Sequence, residues 1–241
     1  MESPLYIGLS RQVTLRRQLE TVANNIANMN TAGFRAERML FEAAMEPGGK
    51  RPDDRVAYTI DRATYTDLRQ GGFSQTDNPL DVALDGDGWL EVETPDGARF
   101  TRDGRLRRDV DGRLVNANGF PVLDDNRQPI VIPADGGSVI IAADGVVSSD
   151  NEMLARLRVV RFENPQALRQ TGDVLFTTDD APQPAPDTRV VQGKVEQSNV
   201  QGIVEMTRMM DLSRDYQSVS RMVEEGQDLL RSAINRLGKA Q

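Results

Sequence analysis

The sequence predicts an α+β fold, with a helix at each end of the chain and a central, mainly antiparallel β domain between them. Three observations carry this. Apolar residues recur at three- and four-residue spacing near both termini, which places them on one stripe of a helix. Asp-Gly and Asn-Gly pairs punctuate the middle of the chain at hairpin spacing. The short β-type runs between those pairs have no helical segment separating them, so parallel crossovers have nothing to run through.

The first helix is expected over Ser3 to Met29. Ser3 serves as N-cap and Pro4 fits the first helical position, where its missing N–H is not needed. Leu15, Leu19, Val22, Ile26 and Met29 form the stripe, and Leu5 and Leu9 extend the apolar face by further turns. Asn24, Asn25, Asn28 and Asn30 crowd the helix end. Asparagine amides compete for local backbone groups, so they either fray the helix into a turn or bond across a helix contact and fix its register. Gly33 then ends the pattern.

The second helix is expected from Asn199 to about Gly238, with Ser198 and Gln201 at capping-box spacing. Ile203, Met206, Met209, Met210 and Tyr216 make a broad apolar face in its first half. Val223, Leu230, Ile234 and Leu237 fall on a heptad seam in its second, with polar Ser220 and Gln227 between. Such a helix is about 50 Å long at 1.5 Å rise per residue. Spacing of this kind suits another helix better than a sheet, within the chain or in a neighbour.

Between the helices, Trp89–Val92, Arg99–Thr101, Arg113–Val115, Ile130–Ile132, Val139–Ile141, Leu154–Phe162 and Val174–Thr178 read as strands. Two breaks set the zones apart: Pro47 to Pro52, and the semi-extended spacer Pro182 to Pro186. The chain therefore divides into an N-terminal helix (1–38), an irregular or extended connector (39–70), a β-rich domain (71–180), a Pro-rich spacer with a return segment (181–197) and a C-terminal helix (198–241).

Composition narrows the function. The chain has 241 residues, 37 acidic and 29 basic, a formal charge of −8, and neither Cys nor His. That rules out disulfides, thiolate nucleophiles, imidazole bases and Cys- or His-ligated metals. The acidic balance argues against a nucleic-acid surface. No apolar run is long enough to span a membrane, and no secretory signal peptide is legible at the N-terminus. Asp85-Gly86-Asp87-Gly88 fails the calcium-loop pattern, because Trp89 and Leu90 stand where an oxygen ligand and a glycine belong. It fails the dinucleotide pattern at Glu91. The paired carboxylates at Asp53/Asp54, Asp124/Asp125, Asp179/Asp180 and Glu224/Glu225 read as solvated turn or helix residues. A secreted carbohydrate-active protein acting through Asp85 and Asp87 is the alternative class; a glycan-binding or turnover screen separates it. No cofactor is expected.

Ala23 to Phe34, reading ANNIANMNTAGF, resembles the ANNxANxNTxGF signature of bacterial flagellar rod and hook proteins. Gly71 to Trp89 resembles that family's second segment, with Asn78, Pro79, Leu80, Asp81, Gly86 and Gly88 in place. Thr101-Arg102-Asp103-Gly104 resembles its TRxG element, and Ser198-Asn199-Val200, Glu205-Met206 and Arg214 to Gln217 resemble its C-terminal elements. The matches follow family order through nearly the whole chain. Met29, Ala32, Trp89 and Gln217 depart from the usual residues.

The resemblance implies a structural, non-enzymatic subunit of the proximal rod. Distal-rod and hook-type axial subunits share these motifs and stand as the alternative. It further implies export by the flagellar type III apparatus without a cleaved signal peptide. In the periplasm the chain would assemble, with copies of itself and other rod subunits, into a hollow tube that transmits torque and passes exported subunits. The terminal helices would form a coiled-coil layer inside and the β domain would lie outside.

Overall fold

The computed structural model describes residues 2–47, 55–133, 137–150, 152–172 and 174–238. It is α+β. Helix α1 spans Glu2–Ala27. Strands β1 (Glu37–Pro47) and β2 (Arg55–Thr66) follow, then β3 (Phe73–Gln75), β4 (Val82–Asp85), β5 (Trp89–Thr94) and β6 (Gly97–Thr101). Next come β7 (Arg107–Arg108), β8 (Leu114–Val115), β9 (Val139–Ile141), β10 (Val146–Ser149), β11 (Glu152–Arg156) and β12 (Val159–Arg161). Strands β13 (Arg169–Gln170), β14 (Leu175–Thr177), β15 (Gln183–Pro184), β16 (Arg189–Gln192) and β17 (Lys194–Glu196) lead to helix α2, Gly202–Gly238. No helix among the described residues is long and apolar enough to cross a membrane.

The chain forms two compact units that do not follow chain order. One joins residues 2–27, 37–47, 55–65 and 201–238; the other joins 28–36 with 66–200. In the first, α1 and α2 pack antiparallel, with Gly8 against Val223 and Gln12 bonded to Tyr216. The connector expected to be irregular or extended is a two-stranded sheet of β1 and β2. The break expected at 47–52 lies, apart from Pro47, outside the described residues.

The second unit is built on a six-stranded antiparallel sheet in the order β13-β14-β6-β5-β12-β15. Side-chain alternation along β5 explains its two apolar faces. Leu90 and Val92 point into one cluster with Val82, Leu84, Leu114, Val122 and Leu157. Trp89 points into the other with Phe100, Phe162 and Phe176. There Trp89 and Phe176 lie 4.8 Å apart between ring centroids, and Phe100 meets Phe162 edge-on at 4.7 Å. A three-stranded sheet, β11-β10-β9, adds its inner residues Ile141 and Val147 to the first cluster.

Three expectations are corrected. Ile130–Ile132 makes only isolated bridges, through Val131, and no strand of its own. Leu154–Phe162 is split in two, because Leu157 turns to bond Gly145. The run Pro182 to Pro186 is no free spacer: Gln183–Pro184 pairs with β12 and Ala185 is buried. Prolines lack the N–H an inner strand must donate, so an outermost strand is where the sheet can take them.

Candidate assembly site

Of the expected stripe, Leu15 packs against Val219 and Val223 of α2, Val22 is also buried, and Leu19 and Ile26 are half-buried. Met29 is not on the helix: α1 ends at Ala27, and Met29 is half-buried in the turn that follows, within the other unit. On α2 the covered residues Glu205, Met209, Leu212, Tyr216, Val219 and Val223 form a seam at alternating spacings of four and three. Leu15, Val219 and Val223 form a small buried cluster with Leu212 and Tyr216 packed against it. Gly8 lets the helices approach, since a Cβ there would sit 2.8 Å from a Val223 methyl.

The broad apolar face expected in the first half of α2 thus divides. Tyr216 meets Gln12 of α1, and Met209 is half-buried. Ile203 is 84 % exposed, Met210 54 % and Met206 44 %. These three share a second stripe, roughly 130° around the helix from the seam at 100° per residue. On α1, Leu9 and Val13 are also exposed. The side chains of Leu5, Leu230, Ile234 and Leu237 lie outside the described residues.

Glu205 holds a seam position because Arg38 answers it. Arg38 Nη1 donates to Glu205 Oε1 at 2.9 Å, with the carboxylate fully buried. One residue earlier, Asn25 pairs with the Glu37 backbone in both directions: its Oδ1 accepts the Glu37 N–H and its Nδ2 donates to the Glu37 carbonyl, both at 2.9 Å. The start of β1 is thereby tied to both helices. Asn24 and Asn30 stay on the surface.

The remaining signature residues work inside the β unit. Asn28 accepts the Thr31 hydroxyl at 3.1 Å, closing a turn. Gly33 has φ +70°, and a Cβ there would lie 2.4 Å from the Asp103 nitrogen. Phe34 is buried. The Asn199 side chain clamps three strands of chain, accepting Ala36 N–H at 2.8 Å and donating to the Asp67 and Arg69 carbonyls at 2.7 and 2.9 Å. Ser198 Oγ accepts the Val200 N–H. Asn78 bonds Asp81 and the Leu80 N–H to form a turn, and the Pro79 carbonyl accepts from Gln192. Gly86 and Gly88 let the chain lie against Thr188 and Val159.

At the centre of this crossing is a cluster that sequence reasoning did not nominate. Glu196 is fully buried between two arginines. Arg35 Nη2 lies 2.6 Å from its Oε1, and Arg102 Nη1 lies 3.4 Å from its Oε2. The Gly71 N–H also donates to Oε1 at 2.9 Å. Arg102 donates further to the Leu84 and Gly86 carbonyls. Both guanidiniums lie over the Trp89 ring, at 6.0 and 5.2 Å. Burial pushes the Arg102 guanidinium down to about 10, with Glu196 pulling it back, so it stays charged at neutral pH. Charged residues ordinarily read as surface. The available signal was their position: Arg35 directly follows the first signature and Arg102 sits within the TRxG element.

Signature residues that hold a chain crossing together, beside apolar helix faces left uncovered, suit a structural subunit that packs against others. Comparison with known proteins agrees. Residues 5–35 match the family described as flagella basal body rod protein. Residues 83–149 match the flagellar hook protein FlgE/F/G D1 domain, and 191–237 the flagellar basal body rod FlgEFG protein C-terminal family. The chain is 40 % identical to the flagellar basal-body rod protein FlgF of Caulobacter vibrioides, over 99 % of both chains. It is 32 % identical to FlgF of Mesorhizobium japonicum over 99 % of both. To the basal-body rod protein FlgG of Bacillus subtilis it is 30 % identical, over 96 % of this chain and 97 % of that one. The chain belongs to the flagellar basal-body rod protein family, of the FlgF type. Its role is structural, as a subunit of the rod, and the carbohydrate-active alternative falls away.

Proposed function

We propose that this chain is a proximal-rod subunit whose terminal helices join a coiled-coil layer with those of neighbouring subunits, the β unit lying outside it. The observation that carries the reading is the second α2 stripe, where Ile203, Met206 and Met210 face solvent. Helix turns that are apolar on more than one side need more than one partner. The α1 seam supplies the first partner; neighbouring rod subunits, copies of this chain among them, supply the others. A contact between unlike surfaces that does not close gives a helical tube, hollow enough here to pass exported subunits and stiff enough to transmit torque. In transit to the rod, the chain's partner is the flagellar export apparatus.

The test is Ile203→Asp in cells that build the organelle. The substitution sits on an exposed face, so the isolated chain keeps its melting temperature, yet it is missing from isolated basal bodies and the cells do not swim. Normal incorporation of this variant would sink the reading.

A further inference from the structure

The turn between β7 and β8 carries Val110 with its side chain fully in solvent, 101 % exposed. Nothing about the turn is loose. Asp109 Oδ1 accepts the N–H groups of Asp111 and Arg113 at 2.9 and 2.8 Å. Arg113 bridges the two acids, with Nε 2.9 Å from Asp109 Oδ2 and Nη2 2.7 Å from Asp111 Oδ2. The Gly112 N–H returns to the Asp109 carbonyl, and the Gly112 carbonyl accepts from Ile132. A valine is thus held out on a braced tip between two acids, Asp109 and Asp111, both bonded by Arg113.

Elsewhere on the same β unit, and sharing no residue with the tip, lies a groove of about 500 Å³. Leu157, Val159, Ala185 and Val190 give it an apolar floor. Its rim carries Asp125, Asp144, Arg156 and Arg189. Asp144 and Arg156 pair with each other at 3.1 Å. Arg189 has no ion-pair partner among the described residues, and Asp125 offers a carboxylate of the opposite sign.

We propose that the Val110 tip of one copy of this chain docks in the Leu157–Val190 groove of the next. Val110 covers the apolar floor and Asp111 faces Arg189, so the tip's surplus negative charge meets the unpaired rim cation, while Asp109 and Arg113 stay paired and keep the tip braced. The bracing means that little conformational freedom is lost on docking, the condition under which a small contact can hold. Tip and groove are different surfaces, so the contact is heterologous: a docked pair still offers one free tip and one free groove, and the series propagates instead of stopping at a pair. The contact rests on the rod-subunit reading above, since it needs copies to adjoin, and it adds a link between their β units that the helices do not make.

The chain has no cysteine, so cross-linking starts from a silent background. Val110→Cys and Arg189→Cys, both at exposed positions, are placed together in the full chain in cells that build the organelle, and isolated basal bodies are oxidised. The expected result on a non-reducing gel is a ladder of dimers and higher multimers, several-fold above that of either single variant. Dimers from Val110→Cys alone would mean that tip meets tip, and overturn the proposal. So would a purely monomeric double variant in rods that contain the chain, which leaves the rod reading intact. If the unsubstituted chain is itself absent from isolated rods, the rod reading fails first and this contact with it. As a second arm, Arg189→Glu co-expressed with the unsubstituted chain is incorporated several-fold less; equal incorporation refutes the charge match.

Discussion

Arg35 and Glu196, near opposite ends of the chain, meet at 2.6 Å with neither side chain exposed. Arg102 shares the same carboxylate, so one buried negative charge answers two positive ones. The arrangement tolerates loss of the carboxylate poorly. Glu196→Gln keeps an oxygen for the Gly71 N–H but leaves both guanidiniums buried without a counter-charge, a change that costs about 3–5 kcal/mol in comparable sites. Urea unfolding of the full chain, read at Trp89 fluorescence because that ring lies under both guanidiniums, should show the midpoint falling accordingly. A midpoint within error of the parent would mean the triad is not what holds the crossing shut.

Two glycines with the same backbone conformation should respond differently. Gly33 and Gly172 both have φ +70°, but a Cβ on Gly33 would strike the Asp103 and Arg102 backbone, whereas nothing lies within 4 Å of Gly172. Gly172→Ala therefore costs only left-handed strain, about 1 kcal/mol. Gly33→Ala adds a backbone collision that no side-chain rotation relieves, and the expected loss is roughly 3 kcal/mol or more, in the range of severe core changes. Thermal melting of the pair of variants measures the difference directly; equal losses would place the whole effect in φ.

Much of this fold was legible because its signals are local. The period of Leu15, Leu19, Val22 and Ile26 located α1, and Asp-Gly pairs located the β5–β6, β7–β8 and β9–β10 hairpins. What stayed hidden depends on residues far apart. The apolar face expected of Ile203, Met206, Met209, Met210 and Tyr216 mixes two stripes, because a seam containing Glu205 does not look apolar. Only Arg38, 167 positions away, makes that glutamate a seam residue. Ile130–Ile132 has strand composition, yet its neighbours offer bridges rather than a ladder. The signature residues were recognised as a string, but their jobs differ by unit: Asn25 ties helix to strand, whereas Gly33 and Asn199 serve the β unit's crossing.

Asn25 offers a test of that division. Its amide meets both polar groups of the Glu37 backbone. Asn25→Asp keeps the acceptor for the Glu37 N–H and sets a carboxylate oxygen against the Glu37 carbonyl in place of the lost donor. Leaving a buried carbonyl unpaired costs about 1–3 kcal/mol. Hydrogen exchange should quicken in α1 and at the start of β1, while amides of the β5–β6 hairpin keep their protection. Faster exchange spread evenly through both units would contradict a role confined to the helix unit.

Gly8 and Val223, which face each other across the helix pair, can be tested together. Gly8 is a poor helix residue, and Gly8→Ala alone gains about 1 kcal/mol of intrinsic helix propensity. Against this, the new Cβ would lie 2.8 Å from a Val223 methyl, and valine, branched at Cβ, has little rotamer freedom to retreat. Overpacking of this kind costs about 1–3 kcal/mol, so the two effects nearly offset or leave a net loss. Val223→Ala alone opens a cavity beside Leu15 and Val219 and destabilises by about 2 kcal/mol. Together, Gly8→Ala and Val223→Ala refill the contact from the other side while keeping the propensity gain, so the double variant should be more stable than the sum of the single losses allows. A double-mutant cycle on chemical unfolding gives the coupling, expected at about 1 kcal/mol or more for residues in direct contact. Strict additivity would show that α1 and α2 do not meet at Gly8 in solution, and the antiparallel register of the two helices would have to be redrawn.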